Sequence, residues 1–153
     1  MPVRLPTLRE KGGFKMSASQ PQPKPRYLYR LDRRGFKVWR IAPGSQQPEP
    51  VFSLDISQTR ALVFALYYYS LDSASSTGTF IPATTIFSSL QDQCPLLKSL
   101  GIKRQHLIRL LHYIWSRPNG PSLVTARRGP NGGFQLYPDL SGYLHKLLEK
   151  QIL

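Results

Sequence analysis

The stretch TARRGPNGGFQL (Thr125 to Leu136) limits the fold more than any other part of this chain. Gly129, Gly132 and Gly133 permit backbone angles that a side chain forbids, and Pro130-Asn131 favours a turn. Apolar residues stand on both sides, Leu123-Val124 before the turn and Phe134 and Leu136 after it. The pattern predicts two short antiparallel strands joined by a narrow tip, with Arg127 and Arg128 at its mouth.

A helix is expected in the segment before it. In IKRQHLIRLLHYI, Leu107, Leu110, Leu111 and Ile114 recur at helical spacing, which predicts a helix over about 103–116. Gln105, Arg109, His112 and Ser116 share the opposite face, and Lys103, Arg104, Gln105 and His106 crowd the first turn. Two helices are expected earlier. One is broadly apolar, capped by Ser57, carries Leu62, Phe64, Ala65, Leu66, Tyr68 and Tyr69, and reads as a buried central helix ending at DSASSTGT. The other begins after Pro82 with Ile86, Phe87 and Leu90 inward, before the chain breaks and re-forms around Pro95. DLSGYLHKLLEKQIL closes as a short amphipathic helix with Leu144, Leu147 and Leu148 inward. Helix, helix, helix, hairpin, helix is the order of an α+β winged helix-turn-helix domain.

In that arrangement the third helix enters the major groove by its N-terminal end. Arginine suits guanine there and glutamine suits adenine, while neighbouring cations hold phosphates. The expected DNA contacts are therefore Lys103, Arg104, Gln105, His106, Arg109 and His112 on the helix. Arg127, Arg128, Gly129, Asn131 and Gly132 are expected to bring the wing, residues 123–137, onto the backbone or a minor groove.

A second hairpin is expected upstream. In RYLYRLDRRGFKVWRI, Tyr27–Leu31 and Phe36–Ile41 are rich in aromatic and branched residues, and Asp32-Arg33-Arg34-Gly35 carries turn chemistry. Its polar positions Arg30, Arg33, Arg34, Lys37 and Arg40 are basic. Two readings stand side by side: an auxiliary contact to nucleic acid or a partner, and a small sheet whose aromatics pack on the main domain. APGSQQPEP reads as a linker and residues 1–25, rich in proline, as a disordered basic tail. The expected organisation is 1–25 tail, 26–50 hairpin and linker, 51–153 winged helix-turn-helix.

Charge narrows the partners. The chain carries 21 Lys and Arg against 8 Asp and Glu, a net +13. Eleven of the basic residues fall in 1–40 against Glu10 and Asp32; seven more fall in 98–128 without an acid. Two basic blocks flanking a slightly acidic middle point to a polyanion. Cys94 is the single cysteine, which excludes an internal disulfide and a zinc site of four cysteines or of two cysteines and two histidines. His106, His112 and His145 have neither metal-pair spacing nor neighbouring carboxylates, and no phosphate-cradling Gly-Lys-Ser/Thr motif or dinucleotide fingerprint occurs. No enzyme, no metal and no cofactor are expected. The most apolar run, Ala61–Tyr69, is too short to span a membrane, and no signal peptide is evident, so a cytoplasmic, nucleoid-associated protein is expected.

The wing also carries a family likeness. Arg128-Gly129-Pro130-Asn131-Gly132-Gly133-Phe134-Gln135-Leu136 resembles the Arg-Gly-x-x-Gly-Gly-Tyr-x-Leu wing of the bacterial iron–sulfur-sensing winged-helix repressors, with Phe for Tyr. IKRQHLIRLLHYI and ALVFALYYYS are similar to the recognition helix and first helix of that family. The resemblance implies a sequence-specific duplex-DNA-binding regulator, a repressor. It does not extend to the cysteines that hold the cluster or the long helix of the family dimer, and the segment around DQCPLLKSL and the basic N-terminal extension have no counterpart. Homodimerisation, including through the N-terminal hairpin, is left open. The rival expectation is a non-catalytic winged-helix subunit of a larger RNA–protein or transcription complex, because much of the charge lies outside the winged helix.

Overall fold

The computed structural model describes residues 24–72, 79–116 and 122–151. Most of the expected tail lies outside these residues, as do most of DSASSTGT and of the segment after the third helix. The aromatic-rich hairpin forms from β1 (Arg26–Asp32) and β2 (Gly35–Ile41), in register from Arg26 opposite Ile41 to Asp32 opposite Gly35. A third strand follows where a linker ending at residue 50 was expected: β3 (Glu49–Leu54) pairs antiparallel with the other edge of β2. Pro50 hid it. Proline donates no ladder hydrogen bond, and it is accommodated because β3 is an edge strand and the register shifts beside Trp39, its partner. The boundary expected between residues 50 and 51 thus falls inside a strand.

Asp55 ends the sheet and starts α1 (Ile56–Asp72). Its carboxylate accepts the Gln58 N–H at 2.8 Å, and Gln58 Oε1 accepts the Asp55 N–H at 3.0 Å. This reciprocal box is worth about 1 kcal/mol and makes Asp55, rather than Ser57, the cap. The Gln58 amide also donates to the Leu100 carbonyl at 2.8 Å, tying α1 to the segment before the third long helix. Leu62, Val63 and Leu66 are fully buried, yet the helix is not buried on every side. Phe64, Tyr68 and Leu71 form a stripe 48%, 47% and 45% exposed.

Helix α2 (Ala83–Gln93) buries Ile86 and Leu90, and the chain breaks at Cys94-Pro95 into the single turn α3 (Leu96–Ser99). Helix α4 (Arg104–Trp115) buries Leu107, Leu110, Leu111 and Ile114, as its spacing demands. Strands β4 (Val124–Arg127) and β5 (Gly133–Leu136) make the second hairpin. Ile81, just before α2, joins its free edge: Ile81 and Phe134 exchange backbone hydrogen bonds of 2.8 Å each way. Gly133 makes this possible. Its φ is +144°, and a Cβ there would lie 2.2 Å from the Ile81 carbonyl oxygen. Helix α5 (Leu140–Lys146) buries Leu140 and Leu144 and continues into a π-helical turn, Leu147–Gln151.

The resulting α+β chain has one core. Leu31, Phe36, Val38 and Leu54 of the N-terminal sheet belong to the same buried cluster as the helices and the second hairpin. Among the described residues no helix is long and apolar enough to cross a membrane.

Candidate nucleic-acid interface

Helix α4 is flanked on both sides. Toward the N-terminal sheet, the Tyr113 ring meets Tyr29 and Phe36 edge-on at 5.9 Å each, and the His106 ring meets Phe52 at 4.7 Å. Toward the second hairpin, His112 lies 5.6 Å from Phe134 and 5.3 Å from Trp115. Of the two readings of the basic hairpin, packing is therefore realised by its inner face, which docks on the expected recognition helix.

The expected contact residues separate into three groups. Lys103, Arg104 and Gln105 are exposed at the helix start, and Arg127, Arg128, Gly129 and Asn131 are exposed along the tip of the hairpin; Gly132, half-buried, completes that turn. Arg109 and His112 are half-buried. The Arg109 guanidinium lies 3.8 Å from the centre of the Tyr27 ring, a cation–π contact that aims it along β1. Burial raises the pKa of the neighbouring Tyr29 hydroxyl, and Arg109 partly offsets this.

His106 must be withdrawn from the contact set. It is 8% exposed, and its Nδ1 accepts the Lys103 N–H at 2.9 Å, so it caps α4 from inside. Burial first, and the Lys103 charge second, lower its pKa from the ordinary value near 6.5. Protonation would also place a hydrogen on Nδ1 facing the donor it now accepts from. Burial likewise lowers the pKa of His112, with Arg109 and Arg128 adding to it. Both folded-state values are depressed, so below about pH 6.5 the unfolded chain binds more protons than the folded one. The urea midpoint is expected to hold above pH 7 and to fall between pH 6.5 and 5. A His106→Gln protein keeps an acceptor for Lys103 without the titration and is expected to fall less steeply. An identical fall in both proteins removes His106 from the linkage.

Three clefts surround α4. One of about 500 Å³ lies between the start of α2, α4 and the hairpin, with Arg104, His112, Trp115, Arg127 and Arg128 in its wall. A second, about 440 Å³, opens between α2 and α4 at Lys103, Arg104 and Gln105. A third, about 630 Å³, has Lys24, Tyr27, Arg109, Ser116 and Arg128 around it. Among the described residues, none that lines them carries a carboxylate. With six cations and no internal counter-charge, this surface attracts an anion and has hydrogen-bond donors to hold it. Arg127 is also braced, its guanidinium 5.6 Å from the Phe80 ring.

No protein family, curated protein or solved structure matches the chain. Among the described residues, no three His, Cys, Asp or Glu side chains gather as a metal ion would need.

The auxiliary set does not join this surface as a unit. Arg33 and Arg34 sit in the β1–β2 turn, where the Arg34 N–H donates to the Asp32 carboxylate at 2.9 Å. Arg30 and Lys37 lie instead beside Trp39 on the outer face of the sheet, and Arg40 pairs across to Tyr27 and Glu49. Sequence reasoning missed Lys24, Tyr27 and Trp115, which line the clefts. Tyr27 could have been found by alternation with Tyr29 and Leu31, which marks the inner face of β1. Nothing in the sequence announces that α4 is what that face meets.

Proposed function

We propose that this chain is a winged helix-turn-helix protein that binds duplex DNA and regulates transcription. One observation carries the reading: Ile81 is tied to Phe134, which sets the arginine-bearing hairpin beside α4 around an acid-free cleft. The order α1, bridge residue, α2, α4, hairpin is what such a domain requires, with Arg127 and Arg128 on the wing. The exposed start of α4 then meets base edges, and Arg104 and Gln105 are the residues to read them. Arg109, held against Tyr27, is better placed for a backbone phosphate beside the groove than for a base at its floor. This narrows base reading to the first turn of α4.

Fluorescence anisotropy at two salt concentrations tests the reading. The ligands are the duplex upstream of the chain's own gene, a scrambled duplex of equal length, and a structured RNA. Tighter binding to the upstream duplex, persisting at the higher salt, is expected. Arg104→Ala and Gln105→Ala are each expected to relax preference at one or two base pairs, by about 1–3 kcal/mol. Equal binding of all three ligands, collapsing with salt, overturns the reading.

A further inference from the structure

The outer face of the N-terminal sheet lies away from the main buried cluster, apart from Ile41, buried opposite Arg26 at its end, and has an unusual composition. Strand alternation sends Tyr27, Tyr29 and Leu31 inward, so Arg26, Leu28 and Arg30 point the other way. On β2, Lys37 and Trp39 alternate with the buried Phe36 and Val38. Leu28 stands directly opposite Trp39, and Arg30 directly opposite Lys37. Both cations approach the indole, the Lys37 Nζ at 5.2 Å from its centre and the Arg30 guanidinium at 6.0 Å. Leu28 beside them is 42% exposed.

Two like charges directly opposite each other destabilise a strand pair. The nearby acid offsets Arg30 only in part, because it is shared with Arg34. Asp32 accepts the Arg34 N–H and pairs with that side chain at 3.5 Å as well as with Arg30 Nε at 3.4 Å. The Arg30 contact is too poorly aligned for a hydrogen bond, and Arg30 Nε, shielded from solvent, has no acceptor. Arg26 and the turn residues Arg33 and Arg34 extend the positive charge to both ends of the hairpin. An anion would relieve the Arg30–Lys37 repulsion, and a flat π-system would cover Trp39 and Leu28. An unpaired nucleotide supplies both.

We infer that this face is a second nucleic-acid site, in which Trp39 stacks on an unpaired base of single-stranded DNA or RNA while Arg26, Arg30 and Lys37 hold the flanking phosphates. Stacking on an aromatic tolerates any base, because every base has a π-face, and the cations track the backbone. The site shares no residue with the surface around α4 and stands whether or not that surface binds duplex. A folded protein partner would need a larger continuous apolar area than Leu28, Trp39 and the adjoining Pro50 and Val51 provide.

The test uses the full chain carrying Trp115→Phe, which leaves Trp39 as the single indole. Oligothymidylate and oligouridylate of about twelve nucleotides are titrated in separate arms. Saturable quenching of Trp39 is expected, and the arm that saturates at the lower concentration identifies the strand the site prefers. In anisotropy with the same labelled strands, Trp39→Ala is expected to weaken binding about fivefold or more. Trp39→Phe, which keeps a stacking ring, is expected to retain most of it. Binding of blunt duplex by the Trp39→Ala protein is expected to stay within about twofold of the parent. Quenching by neither strand, or Trp39→Ala affinities equal to the parent's, overturns the inference.

Discussion

Phe36→Ala is expected to destabilise the entire chain by about 3–5 kcal/mol, not the N-terminal sheet alone. Phe36 is 1% exposed and stacks on Tyr29 with ring centres 6.1 Å apart and planes 8° from parallel. It also meets Tyr113 of α4 edge-on and Phe52 of β3 at 6.2 Å. Removing the ring opens a cavity where three strands and the third long helix converge. Urea unfolding is read by far-ultraviolet circular dichroism for the helices and, in the Trp115→Phe background, by Trp39 fluorescence for the sheet. Both probes are expected to shift together to a lower midpoint, since the sheet and helices share one buried cluster. If only the Trp39 transition moves, the sheet is an appendage and its docking on α4 contributes little.

That expectation could not be formed from the sequence, and the reason is physical. Periodicity reports which face of an element is apolar but not what that face meets. The inward set of α4, Leu107, Leu110, Leu111 and Ile114, follows from 3.6-residue spacing alone. The glycine hairpin was legible for a similar reason, because its φ requirements and strand alternation are local. Phe36 and Phe52, by contrast, are ordinary aromatic residues on short strands, and their partners Tyr113 and His106 lie more than fifty positions away. The same limit misassigned His106. A histidine in the first turn of a basic helix reads as a contact, whereas packing turns its ring under the helix, where a buried donor needs an acceptor.

Two other discrepancies had signals that were outweighed. Asp55-x-x-Gln58 is a capping-box pattern, but Ser57 lies closer to the apolar run and is also a good cap. The alternation Val51, Phe52, Ser53, Leu54 marks a strand, but prolines at 48 and 50 made the segment look like a linker. The joining of Ile81 to Phe134 had no signal. A single bridge residue has no period, and only the clash a Cβ at Gly133 would make identifies it afterward.

Replacing Arg104, Arg127 and Arg128 together with alanine is expected to have the largest effect on duplex binding. All three are exposed around one cleft without a carboxylate in its wall, so each can neutralise a phosphate and release its counterion. Log affinity falls with log salt at about 0.9 per phosphate neutralised, so three lost contacts should flatten the slope by up to about 2.7. Parent and variant curves therefore converge at high salt and separate most at low salt. The control is Arg33→Ala with Arg34→Ala, which removes two charges from the β1–β2 turn, outside the three clefts around α4. Its slope on blunt duplex is expected to match the parent's. Equal flattening in both variants would mean that the duplex responds to net charge wherever it lies, and the wing would lose its place in the interface. Flattening confined to the triple variant ties the phosphate contacts to the cleft between α4 and the hairpin, because the control lowers net charge without touching that cleft.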